Sequence, residues 1–149
     1  MSKEHDDLFR KKFEQFNELR KTMSAEEVWE KMLEGYPERQ RKWFGLYIDN
    51  NNLAEGFRKA IPAYKEMGMN MEVVDISNNG LDAVIEIQRT CPYFDMAKEY
   101  GVEDPCHLLC DMDIEATSRA YPEMKAWYIA RQSEGDSVCA YIYQRPEKK

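Results

Sequence analysis

No run of apolar residues approaches the ~20 that a membrane span needs, and the polar, acidic start of the chain has no signal-peptide core. Basic residues are also scarce: 21 Lys and Arg stand against 28 Asp and Glu, a formal charge of −7 over 149 residues. That deficit argues against nucleic acid and anionic membrane surfaces as partners, since both need a basic patch. The short basic runs Arg10-Lys11-Lys12 and Arg39-Gln40-Arg41-Lys42 are interleaved with acids and read as solvated helix faces. A glycine-rich phosphate loop, a serine nucleophile elbow and a dinucleotide fingerprint are all missing, so nothing supports nucleotide chemistry. There is no linker, repeat or low-complexity stretch, and residues 1–149 are expected to form a single domain in a cytoplasmic protein.

The chain changes character near Gly68. In residues 1–68 apolar side chains recur at helical spacing, beginning with Phe9, Phe13 and Phe16. Ser24-Ala25-Glu26-Glu27 has the form of a capping box, so a helix is expected from Ala25 to about Gly35. Pro37 suits the first turn of the next helix, whose apolar side is Trp43, Phe44 and Tyr47. These three serve a core or a helical homodimer equally well. A further helix, about Leu53 to Met67, contains Pro62, which is expected to kink or split it.

From residue 69 to 149 the pattern becomes α+β. Met71 to Ser77 and Leu81 to Thr90 flank Asn78-Asn79-Gly80, a hairpin signal because Asn and Gly tolerate positive φ. Alternation in the second strand places Leu81, Ala83, Ile85 and Ile87 on an apolar face opposite Asp82, Glu86 and Gln88. Helices from Pro92 to Gly101 and from Asp104-Pro105 to about Tyr121 follow, then a second hairpin, Met124 to Gln132 and Ser137 to Gln144. The two hairpins complete one antiparallel sheet with helices on one face.

All four cysteines fall in this second part, at Cys91, Cys106, Cys110 and Cys139. Cys106 and Cys110 are one helical turn apart and leave the same face. Cys91 ends a strand, and Cys139 shares a strand side with Tyr141 and Tyr143. In a reducing compartment thiols serve as metal ligands, reactive groups or small core residues more readily than as disulfides. Their concentration favours one shared site, with an iron–sulfur cluster or zinc as the metal.

His107 and Asp111 lie four apart on the same helix as Cys106 and Cys110, where the carboxylate can orient the imidazole as a general base. A surface pair across one helical turn is the plainer alternative. His5, the other of two histidines, reads as solvated. The run Asp111, Asp113 and Glu115 reads as a solvated helix face rather than a cation site, because Asp113 leaves the helix in another direction from its neighbours. The aromatic last hairpin, with Trp127, Tyr128, Tyr141 and Tyr143, suits either a planar ligand or the sheet surface and core.

Three segments in order, Cys91-Pro92-Tyr93, Cys106-x-x-x-Cys110-Asp111 and Glu134-Gly135-Asp136-x-x-Cys139-x-Tyr141, resemble the L-2-amino-thiazoline-4-carboxylate hydrolase family. More distantly they are similar to the vinyl-reductase domain superfamily. The resemblance spans about Leu81 to Tyr143 and implies an α+β fold with a cysteine-lined pocket between helices and sheet. It also implies hydrolysis of a small cyclic substrate. The expectation is therefore a hydrolase-like protein for a small-molecule ligand, with a non-catalytic cluster- or ligand-binding sensor or electron carrier as the alternative. A plain interaction module is the third reading.

Overall fold

A computed structural model describes residues 3–148. Four helices come first: α1 (Lys3–Leu19), α2 (Ala25–Leu33), α3 (Tyr36–Ile48) and α4 (Leu53–Glu66). The hairpin β1 (Met71–Asp75) and β2 (Leu81–Gln88) leads to α5 (Tyr93–Glu99). A π-helical segment, His107–Asp111, runs directly into α6 (Met112–Ala120), and β3 (Lys125–Ala130) and β4 (Cys139–Pro146) close the chain. The strands form one antiparallel sheet in the order β1-β2-β4-β3. The α+β architecture expected from the sequence is the one observed. No helix among the described residues is long and apolar enough to cross a membrane.

Local chemistry sets the boundaries. Ser24 caps α2 in a complete capping box, its hydroxyl accepting from Glu27 N–H while the Glu27 carboxylate accepts from Ser24 N–H. Asn52 caps α4 in the same way, through Glu55 N–H. Asn79 and Gly80, at φ of 53° and 76°, make the first hairpin turn with the handedness that the strand twist requires. α4 runs unbroken through Pro62, contrary to the split expected of an interior proline. Its buried face, Leu53, Ala54, Phe57 and Ala60, is held against the sheet and outweighs one missing backbone bond. Gly56 lets α4 approach the end of α3, since a Cβ there would stand 2.4 Å from the Tyr47 carbonyl oxygen.

Helices cover one face of the sheet, as expected, and in β2 the covered face is the polar row rather than the apolar one. In β2 the inward residues are Asp82, Val84, Glu86 and Gln88, set opposite Arg145, Tyr143, Tyr141 and Cys139 of β4. Ile85 and Ile87 lie on the outer face, beside exposed Val74 and Trp127. The inversion holds because the inward polar groups have partners. Arg145 donates to Asp82 at 2.9 Å, and also to the carbonyls of Ile48 and Asn51, while Asp82 accepts from Leu53 N–H. A buried pair satisfied in this way costs little to keep and much to break.

Two apolar cores result. One joins α3 and α4 to the sheet around Phe44, Phe57, Val84 and Tyr143; the other joins α1, α2, α5 and α6 around Phe13, Leu33, Leu108 and Met112. Phe44 is buried, and Trp43 and Tyr47 pack against that same core, which accounts for the aromatic cluster of α3 without a partner helix. Replacing Asp82 by Ala leaves the buried Arg145 guanidinium uncompensated and is expected to cost about 3–5 kcal/mol. Urea denaturation at neutral pH measures that loss.

Candidate functional site

A cavity of about 370 Å³ opens where the two cores meet. α1 contributes Phe9 and Lys12, α3 contributes Tyr36, Gln40 and Trp43, and the inward face of the sheet contributes Glu86, Gln88 and Tyr141. Cys91, Cys106, Cys110 and Cys139 all line this one space. Cys106 and Cys110 reach it from consecutive turns at and within the π-helical segment, a distortion frequent at functional sites. The Cys106 thiol donates to Ser133 Oγ at 3.4 Å, and Gln132 N–H donates to Cys139 Sγ at 3.4 Å. The loop between β3 and β4 is thereby docked onto the cavity wall.

The thiols share a wall rather than a coordination sphere. Among the described residues no three His, Cys, Asp or Glu side chains are grouped closely enough to hold a metal ion. All four thiols are free, and burial pushes Cys91 up to about 11 and raises Cys106 and Cys110 as well. A metal needs thiolates that converge on a point. No metal site is therefore shown at Cys91, Cys106, Cys110 and Cys139, where an iron–sulfur cluster or zinc was expected.

His107 and Asp111 are paired, with Nδ1 to Oδ2 at 3.5 Å, but both lie outside the cavity lining. The imidazole stacks on Trp29 at 4.6 Å between ring centroids, and half of the side chain is exposed. Asp111 also receives the buried Arg131 guanidinium, which covers the Tyr128 ring at 3.7 Å. Asp111 thus ties the π-helical segment to Arg131, just past the end of β3.

Ionisable groups that the sequence analysis placed on solvated or sheet-surface positions occupy the cavity instead. Glu86 is buried with one side-chain partner, the Gln88 amide at 2.9 Å, and burial pushes its carboxyl up to about 7. Gln88 Oε1 is left without a partner, as are the hydroxyls of Tyr93 and Tyr141. Three buried polar atoms on one cavity lining therefore await hydrogen bonds from whatever fills it. Asp113 accepts from the Tyr36 hydroxyl at 3.1 Å, and burial raises its carboxyl too. Glu86 and Gln88 were legible in principle: pairing β2 with the inward side of Cys139 and Tyr141 puts them on the same face.

A helix-covered antiparallel sheet enclosing a ligand-sized void lined by thiols, phenols and a buried carboxyl defines the class. The chain belongs to the L-2-amino-thiazoline-4-carboxylic acid hydrolase family, whose model matches residues 4–143. No curated protein matches the chain. Among solved structures it is similar to the phenol-responsive sensory domain of the transcription activator PoxR with phenol. The TM-score is 0.54 at 12% identity, over 89% of this chain and 72% of that one, a likeness of fold.

The Glu86 carboxyl gives the site a pH signature. Its folded pKa, about 7, lies above the ordinary carboxylate value of 4.5, so the folded state binds more protons between those values. Stability therefore falls as pH rises through that window. Glu86→Gln is expected to gain about 2–3 kcal/mol on the wild type between pH 4.5 and 8, read from paired denaturation curves at both pH values.

Proposed function

We propose that the chain is a hydrolase of its family acting on a compact cyclic substrate with a C–N or C–S bond, inside the thiol-lined cavity, with Glu86 as the general base. The observation that carries this is a buried carboxyl with a pKa of about 7, held by Gln88 on the cavity wall. A base poised near the working pH combines a useful deprotonated fraction with real proton affinity. Glu86 takes a proton from water as the oxygen adds to the ring carbon double-bonded to nitrogen. A ring bond at that carbon then breaks, and the proton passes to the departing atom. The hydroxyls of Tyr93 and Tyr141, otherwise unpartnered, are donors for charge that develops on the substrate.

The thiols serve as a soft apolar wall, and burial raises those of Cys91, Cys106 and Cys110 toward the protonated form. In this reading His107 and Asp111 brace the π-helical segment. Free thiols support a reducing, cytoplasmic setting. Any homodimer is assigned to the outer sheet face around Trp127 and Ile129, where apolar side chains are exposed.

Ring opening of 2-amino-thiazoline-4-carboxylate is the direct assay. The expected kcat/KM rises with pH through an apparent pKa near 7, and Glu86→Gln lowers it about 10²–10⁴-fold without loss of fold. Cys110→Ser is expected to retain activity; its complete inactivation would point to the thiols instead. A second reading, a ligand-binding sensory domain, is supported by the fold shared with the phenol-responsive domain and by the protonated thiols. Tight binding of phenol with no turnover of any cyclic substrate would favour it.

A further inference from the structure

Lys12 is a cavity residue for which the hydrolytic reading has no use. α1 brings its ammonium over the face of the Tyr36 ring, 4.8 Å from the centroid. Among the described residues no carboxylate lies within ion-pair distance of it. Asp113 faces the same space from α6, held by the Tyr36 hydroxyl at 3.1 Å, and each charge favours the other without direct contact. Burial acts on both groups in the same sense. It lowers the Lys12 ammonium to about 8 and raises the Asp113 carboxyl, driving both toward their neutral forms.

An amine and a carboxyl that share an aromatic-walled void are the two groups imine formation requires, one to attack as its free base and one to pass a proton to the departing oxygen. The void, about 370 Å³, has room for a single ring with substituents. We propose that Lys12 captures small cyclic or aromatic ketones and aldehydes in this cavity as an imine, with Asp113 as the proton donor. The amine lone pair bonds to the carbonyl carbon, and a proton moves from nitrogen to oxygen to give the carbinolamine. Asp113 then protonates the hydroxyl, the C–O bond breaks, and water leaves. The resulting iminium returns its proton to Asp113, so the products are a neutral imine and one water, and no oxidant or reductant is consumed.

Reductive trapping tests this. The full chain is incubated with cyclohexanone and cyanoborohydride near neutral pH, digested, and each lysine is quantified by mass spectrometry. The expected result is an adduct at Lys12 at least about tenfold above every other lysine, because an amine lowered to about 8 in the cavity has a far larger free-base fraction than a surface lysine. Lys12→Arg is expected to remove that adduct and leave the surface lysines unchanged. Asp113→Asn, which keeps the amine, is expected to lower the adduct about tenfold or more. Even labelling across all lysines, or an unmodified Lys12 in the wild-type chain, would overturn the proposal. Neither outcome touches the hydrolytic reading, which rests on Glu86 and is scored by ring opening.

Discussion

Asp82 and Arg145 meet on the covered face of the sheet, where the end of α3 and the start of α4 cross it, and both side chains are almost wholly out of water. Arg145 bonds the carbonyls of Ile48 and Asn51 while Asp82 takes the first N–H of α4. A charge pair placed there can only be kept if every donor and acceptor is met. That requirement fixes which face of β2 turns inward. Once Asp82 faces the helices, strand alternation carries Val84, Glu86 and Gln88 inward with it, and β4 must present Tyr143, Tyr141 and Cys139 opposite them. The chemistry of the cavity is thus a consequence of the register set by one buried ion pair.

Much of the fold was legible because its signals are local. The capping box at Ser24, the Asn-Gly turn and the Cys106–Cys110 spacing each act within one turn of chain, and each lies where expected. The face of β2 was not legible by hydrophobicity. An apolar row of Leu81, Ile85 and Ile87 looks like the core side until Asp82 is paired with a residue 63 positions away. Lys12 and Asp113 were hidden for a similar reason. Each sits among charges in sequence, and only the packing of α1 and α3 against α6 turns them into one cavity. The shared location of Cys106, Cys110 and Cys139 could be read from their spacing and strand parity, whereas Cys91 follows the parity of outward Ile85 and Ile87 and reaches the cavity only past the end of β2.

The cavity gathers Lys12, Glu86 and Asp113 in surroundings too apolar to keep them all charged. The carboxyls move up, the amine moves down, and the thiols of Cys91, Cys106 and Cys110 move up. Neutral forms of this kind exchange protons at neutral pH with little reorganisation, which suits a pocket that must handle a compact, weakly charged ring. The unpartnered atoms of Gln88, Tyr93 and Tyr141 add a fixed pattern of one acceptor and two donors. Thiols, aromatic rings and polar atoms then act together as walls of one space, with no single cysteine carrying the chemistry.

The central claim is that Cys91, Cys106, Cys110 and Cys139 wall one ligand-sized void. Alkylation kinetics of each cysteine, resolved by mass spectrometry with and without saturating 2-amino-thiazoline-4-carboxylate, tests it most directly. The account predicts that all four react slowly and that one equivalent of bound compound slows them together, by about tenfold or more. Protection of one or two cysteines with the others unaffected would contradict a shared cavity.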